Sequence, residues 1–336
     1  MEYNDTNETL YGVGREPDRW GWWTQQIVTP IIVLVGICGN IMSFLLMKTK
    51  TFRKKSYSHF LCALAVFDSL CLINRQTQLI HEILAEKRTV GVYTEYSDLS
   101  CQIYNFYEHV CYLMSSWLIV GMAAERVVAM CLPFRKTMLR TQTGAIVTIL
   151  STFFIMCLTQ VFRFLMVKNI GGSCQGDTLT HFKYIYLHIY FYQFTLVLTL
   201  PFVIVLVCNS LVIYQIHRVR KAAGSNSRSR VVERSHKTTR MLLAISFTYL
   251  ITMLPLVVIS FAWQVAMDNG YYEMVFSLYP VQQFVSVISY CNYGVNFFIY
   301  ILSGRSFRFE LKRIFTRERH QSLSATRTRE EFMKLT

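Results

Sequence analysis

The sequence predicts an all-α membrane protein: a bundle of seven transmembrane helices, followed by a short amphipathic helix at the inner surface. Three observations lead there. Of the 336 residues, 53% are apolar and 16% charged, whereas a soluble chain carries about 25% charged residues. The apolar residues gather in seven stretches, 27–47 and about 58–84, 100–131, 143–167, 184–216, 241–266 and 273–302. Each is long enough to cross the ~30 Å hydrocarbon layer of a bilayer. Basic residues then crowd into alternate connections. Lys48, Lys50, Arg53, Lys54 and Lys55 follow the first stretch, Arg135, Lys136 and Arg140 the third. The run from Arg218 to Arg240 follows the fifth, and Arg305, Arg308, Lys312 and Arg313 follow the seventh. Such alternation puts these connections in the cytosol and the N-terminus outside. The net charge of +14 thus belongs to membrane-facing loops and gives no nucleic-acid signature.

The elements follow in order. Residues 1–23 form an outer tail with glycosylation sequons at Asn4 and Asn7. Its Trp20, Trp22 and Trp23 suit the membrane interface. No signal peptide is apparent, so the first span is expected to act as an uncleaved insertion signal into the plasma membrane. The bundle occupies 24–303. Its second span carries Asp68, Cys71, Arg75, Gln78 and Glu82 on one helical face. The third carries Glu108, Tyr112, Ser115, Ile119, Met122 and Arg126, in steps of three and four. Glu108 and Arg126 lie five turns apart, ~27 Å along one face, and ionisable groups in a membrane are costly and usually functional. The seventh span carries Gln282, Ser286, Ser289, Tyr293, Asn296 and Tyr300, with Asn292 beside Asn296. Interhelical hydrogen bonding accounts for polar faces, but not for ionisable residues at 68, 75 and 108.

Of ten cysteines, most fall within apolar spans as small packing residues. Cys101, at the outer start of the third span, and Cys174, in the outer loop after the fourth, both face an oxidising compartment and are expected to pair. Cys111 or Cys131 replaces Cys101 only if the span boundaries are wrong. The loop 222–230 is rich in Ser, Gly and Arg and is expected to be mobile. Pro255 is expected to kink the sixth span. Residues 304–316 form the amphipathic helix, with Phe307, Leu311, Ile314 and Phe315 on one face. No cysteine follows it for palmitoylation. Residues 317–336 read as a disordered cytoplasmic tail containing Ser and Thr.

Gly39-Asn40, Leu64 to Asp68, Cys101, Glu125-Arg126-Val127, Pro201, Pro255 and Asn296 to Tyr300, in this order across seven spans, resemble the rhodopsin-like, class A G-protein-coupled receptors over about residues 24–315. The resemblance implies that Arg126 is a cytoplasmic latch, paired with Glu125 at rest and turning toward Asn209 and Tyr300 in the active state. A heterotrimeric G protein would enter the cleft so opened, with Tyr249 and Pro255 in the moving sixth span. Asp68, Ser115, Asn292 and Asn296 match the family's sodium pocket, so an allosteric sodium ion is expected and no other cofactor. Arrestin and a receptor kinase would use the tail. The chain departs from the family at Val127, at Met253 in place of the usual tryptophan, at Phe297 in place of the usual proline, and at Asn209 in place of a tyrosine.

The expected ligand site uses Arg75, Gln78, Glu82, Glu108, Tyr112, Gln193, Trp263, Gln282 and Tyr290. Carboxylates, amides and aromatics together suit a short amidated neuropeptide of the Arg-Phe-amide kind, and the mildly acidic outer tail favours a cationic ligand. Arg75 requires a partner, which Glu108 or Glu82 supplies. The alternatives are a biogenic amine or another small molecule on the same fold, or, less favoured, a transporter. Transporters often show repeats and broken half-helices, and neither is visible here. No Ser/His/Asp set or metal-spaced histidine cluster marks an enzyme: His81, His109, His181 and His188 are scattered. No lysine lies in the seventh span to hold retinal.

Overall fold

The computed structural model describes residues 19–86, 97–131, 141–170, 173–222, 230–303, 307–314 and 316. The sequons at Asn4 and Asn7, the loop 223–229 and the tail 317–336 lie outside the described residues. Among the described residues six helices are long and apolar enough to cross a membrane: Trp20–Met47, Ser56–Ile80, Asp98–Cys131, Gln142–Met166, Phe182–Arg218 and Thr239–Asp268. A bent pair, Tyr272–Gly294 and Asn296–Ser303, makes the seventh. We call these spans one to seven. The first begins at Trp20, earlier than the expected bundle start at 24, because the helix continues through the aromatic run Trp20 to Trp23. Trp20 and Trp23 are exposed at that end.

Span three is the centre of the bundle and touches spans two, four, five and six, while span one closes the ring against two and seven. Its predicted stripe is the buried one: Glu108, Ser115, Ile119, Met122 and Arg126 are all buried. Large apolar side chains such as Ile31, Leu34, Leu150, Phe154 and Ile251 point outward, where lipid replaces water.

Two irregular spans show how backbone polar groups are satisfied where no water reaches. In span five, Tyr186–Thr199 winds as a wide π-helix of 14 residues between regular α segments. Pro201 follows and has no N–H to give to the preceding turn. The carbonyls there find other donors. Trp117 Nε1 donates to Leu196 O at 3.0 Å, and the Tyr249 hydroxyl donates to Val197 O. Spans three and six are thereby fastened to five through the carbonyls that the irregular helix releases.

Span seven bends by 53° at Val295 although Phe297 stands where a proline was expected. The freed carbonyls are again taken by side chains. Asn40 Nδ2 donates to Tyr293 O at 3.0 Å, and Asn296 Nδ2 donates to Asn292 O at 3.4 Å. Gly36 and Gly294 allow spans one and seven to meet at the bend: a Cβ on Gly36 would lie 2.9 Å from Gly294 Cα. Span six runs as one helix through Pro255.

At one end of the bundle β1 (Val167–Ile170) and β2 (Ser173–Gly176) form an antiparallel hairpin. Cys174 is disulfide-bonded to Cys101 as expected, with Cα atoms 5.6 Å apart. Asp98 Oδ1 accepts from the Asn169 N–H at 2.8 Å and Gln102 Nε2 donates to Val167 O at 2.9 Å. The hairpin is thus tied three times to the start of span three. Lys168 pairs with Asp177 at 2.8 Å, and that hydrogen bond raises its ammonium above the usual range. At the opposite end, residues 307–314 form the expected short helix. Phe307 is buried and stacks on Phe52 at 4.4 Å and on Tyr300 at 5.6 Å. Glu310 is buried and accepts from Thr51 at 2.5 Å, so this helix is anchored by the turn between spans one and two as well as by its apolar face.

Tyr249→Phe removes the donor to Val197 O and leaves a buried carbonyl unpaired. It is expected to destabilise the purified protein by about 1–3 kcal/mol, read as a lower midpoint in thermal unfolding in detergent. An unchanged midpoint would show that the bond carries nothing.

Candidate functional site

In the half of the bundle that carries the disulfide, spans two, three, five, six and seven enclose a cavity of about 280 Å³. Six of the expected ligand residues line it: Gln78, Glu108, Tyr112, Gln193, Gln282 and Tyr290. His109, Tyr192, Met253 and Ser260 join them. Met253 fills the place of the family's usual tryptophan with a flexible apolar chain. Gln282 Nε2 reaches Ser260 Oγ at 3.5 Å across spans six and seven.

Three expected residues differ. Trp263 is not in the wall, because Ser260, three residues earlier, is the last span-six residue that lines it. The Glu82 side chain lies outside the described residues. Arg75 is buried next to the cavity and reaches Glu108 through an intermediary. Its Nη1 donates to Gln78 Oε1 at 3.0 Å, and Gln78 Nε2 donates to Glu108 Oε1. The guanidinium also lies 5.2 Å from the centroid of the Tyr290 ring. The amide of Gln78 therefore couples a buried cation to a buried anion, its oxygen serving one and its nitrogen the other.

Sequence reasoning passed over Arg163. It is 0% exposed, one of the largest fully buried side chains in the protein. Nε donates to Gln160 Oε1 at 2.8 Å, Nη1 to Asn105 Oδ1 at 2.7 Å, and Nη2 meets His188 Nδ1 at 3.1 Å. Tyr192 lies under the guanidinium at 4.8 Å. The signal was a single arginine in the apolar run Val161 to Met166. The histidines also differ from expectation. His109 and His188 are brought together by spans three and five, ring centroids 5.2 Å apart. Sequence distance hid this, since 79 residues separate them.

Below the cavity, Asp68 is 0% exposed. Ser115 Oγ donates to its Oδ1 at 2.5 Å and Asn296 Nδ2 to its Oδ2 at 2.7 Å. Three of the four residues expected around a sodium ion thus meet. Asn292 is buried nearby but contributes its backbone oxygen to Asn296 and no side-chain bond to Asp68. At the far end of the stripe, Arg126 Nε donates to Glu125 Oε2 at 2.6 Å, and its guanidinium lies 5.1 Å from the Tyr57 ring. Asn209 is buried, its Nδ2 without a hydrogen-bond partner. Tyr300 is buried as well.

Residues 39–300 match the family described as 7 transmembrane receptor (rhodopsin family). The chain belongs to that family. This rhodopsin-like receptor is accordingly a multi-pass membrane protein and not an enzyme. It is 24% identical over 332 residues to an FMRFamide receptor of Drosophila melanogaster, covering 92% of this chain and 56% of that receptor. It is 22% identical over 232 residues to cysteinyl leukotriene receptor 1 of Sus scrofa, covering 67% of this chain and 64% of the other. It is 29% identical over 149 residues to an FMRFamide peptide receptor of Caenorhabditis elegans, covering 43% of this chain and 34% of that receptor. The chain therefore spans less than two thirds of the length of each of these relatives.

Proposed function

We propose that this receptor sits in the plasma membrane with its N-terminus outside, binds a short amidated peptide in the cavity, and activates a heterotrimeric G protein at the Arg126 end. The observation that carries the reading is the span-three stripe. One rigid helix joins a cavity carboxylate, Glu108, to Ser115 on Asp68 and then to the Arg126–Glu125 pair. A ligand that displaces Glu108 from Gln78 acts on the same element that holds the latch. Arginine suits the latch because its charge is permanent and its donors are fixed in a plane. Released from Glu125, its donors would turn to the side-chain oxygen of Asn209 and the hydroxyl of Tyr300. The tail from 317 to 336, with its Ser and Thr residues, is the segment for a receptor kinase and arrestin.

The ligand class follows from wall chemistry and size. A volume of about 280 Å³ is at the lower end for ligand pockets, ~300–1,000 Å³, and receives only the last one or two residues of a peptide. Tyr112 and Tyr290 would pack an aromatic ring, while Glu108 would take an arginine. Two of the relatives carry FMRFamide in their names, which supports the peptide reading. The small volume also favours a second reading, a compact small-molecule ligand.

Asp68 supports an allosteric sodium site. Among the described residues this buried carboxyl is bonded only by neutral donors, Ser115 and Asn296, and a small hard cation would supply the counter-charge that its ionised form needs. Bound there, the ion would hold spans two, three and seven in the resting arrangement.

Three outcomes test these assignments. Arg126→Ala is expected to lower G-protein activation at normal surface expression, measured as nucleotide exchange in membranes; full activation would remove the latch. Glu108→Gln is expected to weaken binding of Phe-Met-Arg-Phe-amide by about 1–3 kcal/mol, and wild-type affinity would exclude Glu108 as the arginine's partner. Asp68→Asn is expected to abolish any effect of sodium on agonist affinity, whereas a retained effect would place the ion elsewhere.

A further inference from the structure

We infer that Arg163 is a positioning residue that sets the hydrogen-bond polarity of one cavity wall, so that this wall reads a primary carboxamide. The inference deepens the peptide reading above and rests on it for the ligand, but its first step does not.

That first step is a tautomer. A guanidinium has five donors and no acceptor. Arg163 Nη2 lies 3.1 Å from His188 Nδ1, so Nδ1 must carry its lone pair toward the arginine. The ring is then neutral, and its proton sits on Nε2. The rings of Tyr184 and Tyr192 lie nearly parallel to His188, at 5° and 16°, which fixes the plane in which the two nitrogens point. Two further donors of Arg163 are held by Gln160 and Asn105, which fixes the guanidinium in this orientation.

The second step is an amide orientation. Gln193 Nε2 lies 3.4 Å from His188 Nε2, so with the proton on that ring nitrogen two donors face each other. The relay therefore requires the Gln193 amide to be turned over, with its oxygen toward the ring. The Gln193 NH₂ group is then directed away from His188 and, because Gln193 lines the cavity, serves as the wall's donor. His109, also in the wall, has the opposite role. Its Nδ1 is 2.7 Å from the Asn105 carbonyl, which can only accept. Nδ1 therefore carries the proton, and Nε2 of the neutral ring is an acceptor.

The wall thus offers one donor, from Gln193, and one acceptor, at His109. A primary carboxamide presents the complementary pair: its carbonyl accepts from Gln193 and its NH₂ donates to His109. A carboxylate offers two acceptors and would face the His109 lone pair. Arg163 touches neither ligand nor cavity and acts through His188.

The experiment has two arms. In the first, the purified receptor carries ¹⁵N-labelled histidine, with His188 assigned by its loss in His188→Asn. The wild-type spectrum is expected to show the Nε2–H tautomer, and Arg163→Met is expected to lose that single form. A wild-type His188 that is cationic or protonated at Nδ1 would overturn the proposal, even if Arg163→Met fails to fold. So would an Arg163→Met spectrum that still shows the single Nε2–H form. In the second arm, Phe-Met-Arg-Phe-amide competes against the same tetrapeptide with a free carboxylate. The amide is expected to bind about tenfold more tightly, the weight of one buried hydrogen bond, and Arg163→Met is expected to bring the ratio toward one. Equal binding of both peptides to the wild type would overturn the carboxamide assignment. The expected tautomer with neither peptide bound would support the relay and overturn the amidated-peptide reading.

Discussion

Inside a bilayer a polar group has no water to fall back on, and an unpaired N–H, carbonyl or charge costs several kcal/mol. That constraint organises this receptor. In the irregular part of span five and at the bend of span seven, side chains, most of them from neighbouring spans, supply missing bonds. Trp117 and Tyr249 serve the carbonyls before Pro201. Asn40 and Asn296 serve those at the bend of span seven. Local irregularity and long-range packing are therefore one phenomenon: each break in a helix becomes an attachment point for another helix.

The same constraint arranges the ionisable residues. Arg75 and Glu108 are joined through Gln78, Arg126 by its neighbour Glu125, and Arg163 by a shell of neutral acceptors. Among the described residues Asp68 has only neutral donors. Direct pairing favours a resting arrangement, whereas an interposed amide or a missing counter-ion leaves a place for an external charge to enter. The two candidate points of entry, the cavity beside Glu108 and the pocket at Asp68, are both of the second kind. Glu108 and Ser115, the span-three residues at these two places, lie about two turns apart, so binding at either bears on the helix that carries Arg126.

The bent seventh span shows how a family feature persists after its usual cause is lost. With Phe297 in place of proline, the 53° bend comes instead from hydrogen bonds that compete for the carbonyls of Asn292 and Tyr293, and from the close approach of Gly36 and Gly294. Any residue at 297 that leaves those competitors in place would keep it. Met253 is a comparable exchange: a flexible thioether lines the cavity where an indole was expected, giving the cavity a softer wall.

Much of this was legible in the chain itself. Apolar length and the spacing of basic loops determined seven spans and their order. Helical periodicity alone placed Glu108, Ser115 and Arg126 on one buried stripe, and compartment chemistry was enough to pair Cys101 with Cys174. Only the tertiary structure decided that Gln78 stands between Arg75 and Glu108, that Trp263 misses the cavity, that Asn292 makes no side-chain hydrogen bond to Asp68, and that Arg163, His188 and His109 form one cluster. Periodicity reports which face of a helix is buried because that depends on neighbours three and four residues away. It carries no information on which buried groups meet across helices, since that is set by how irregular spans rotate and approach one another.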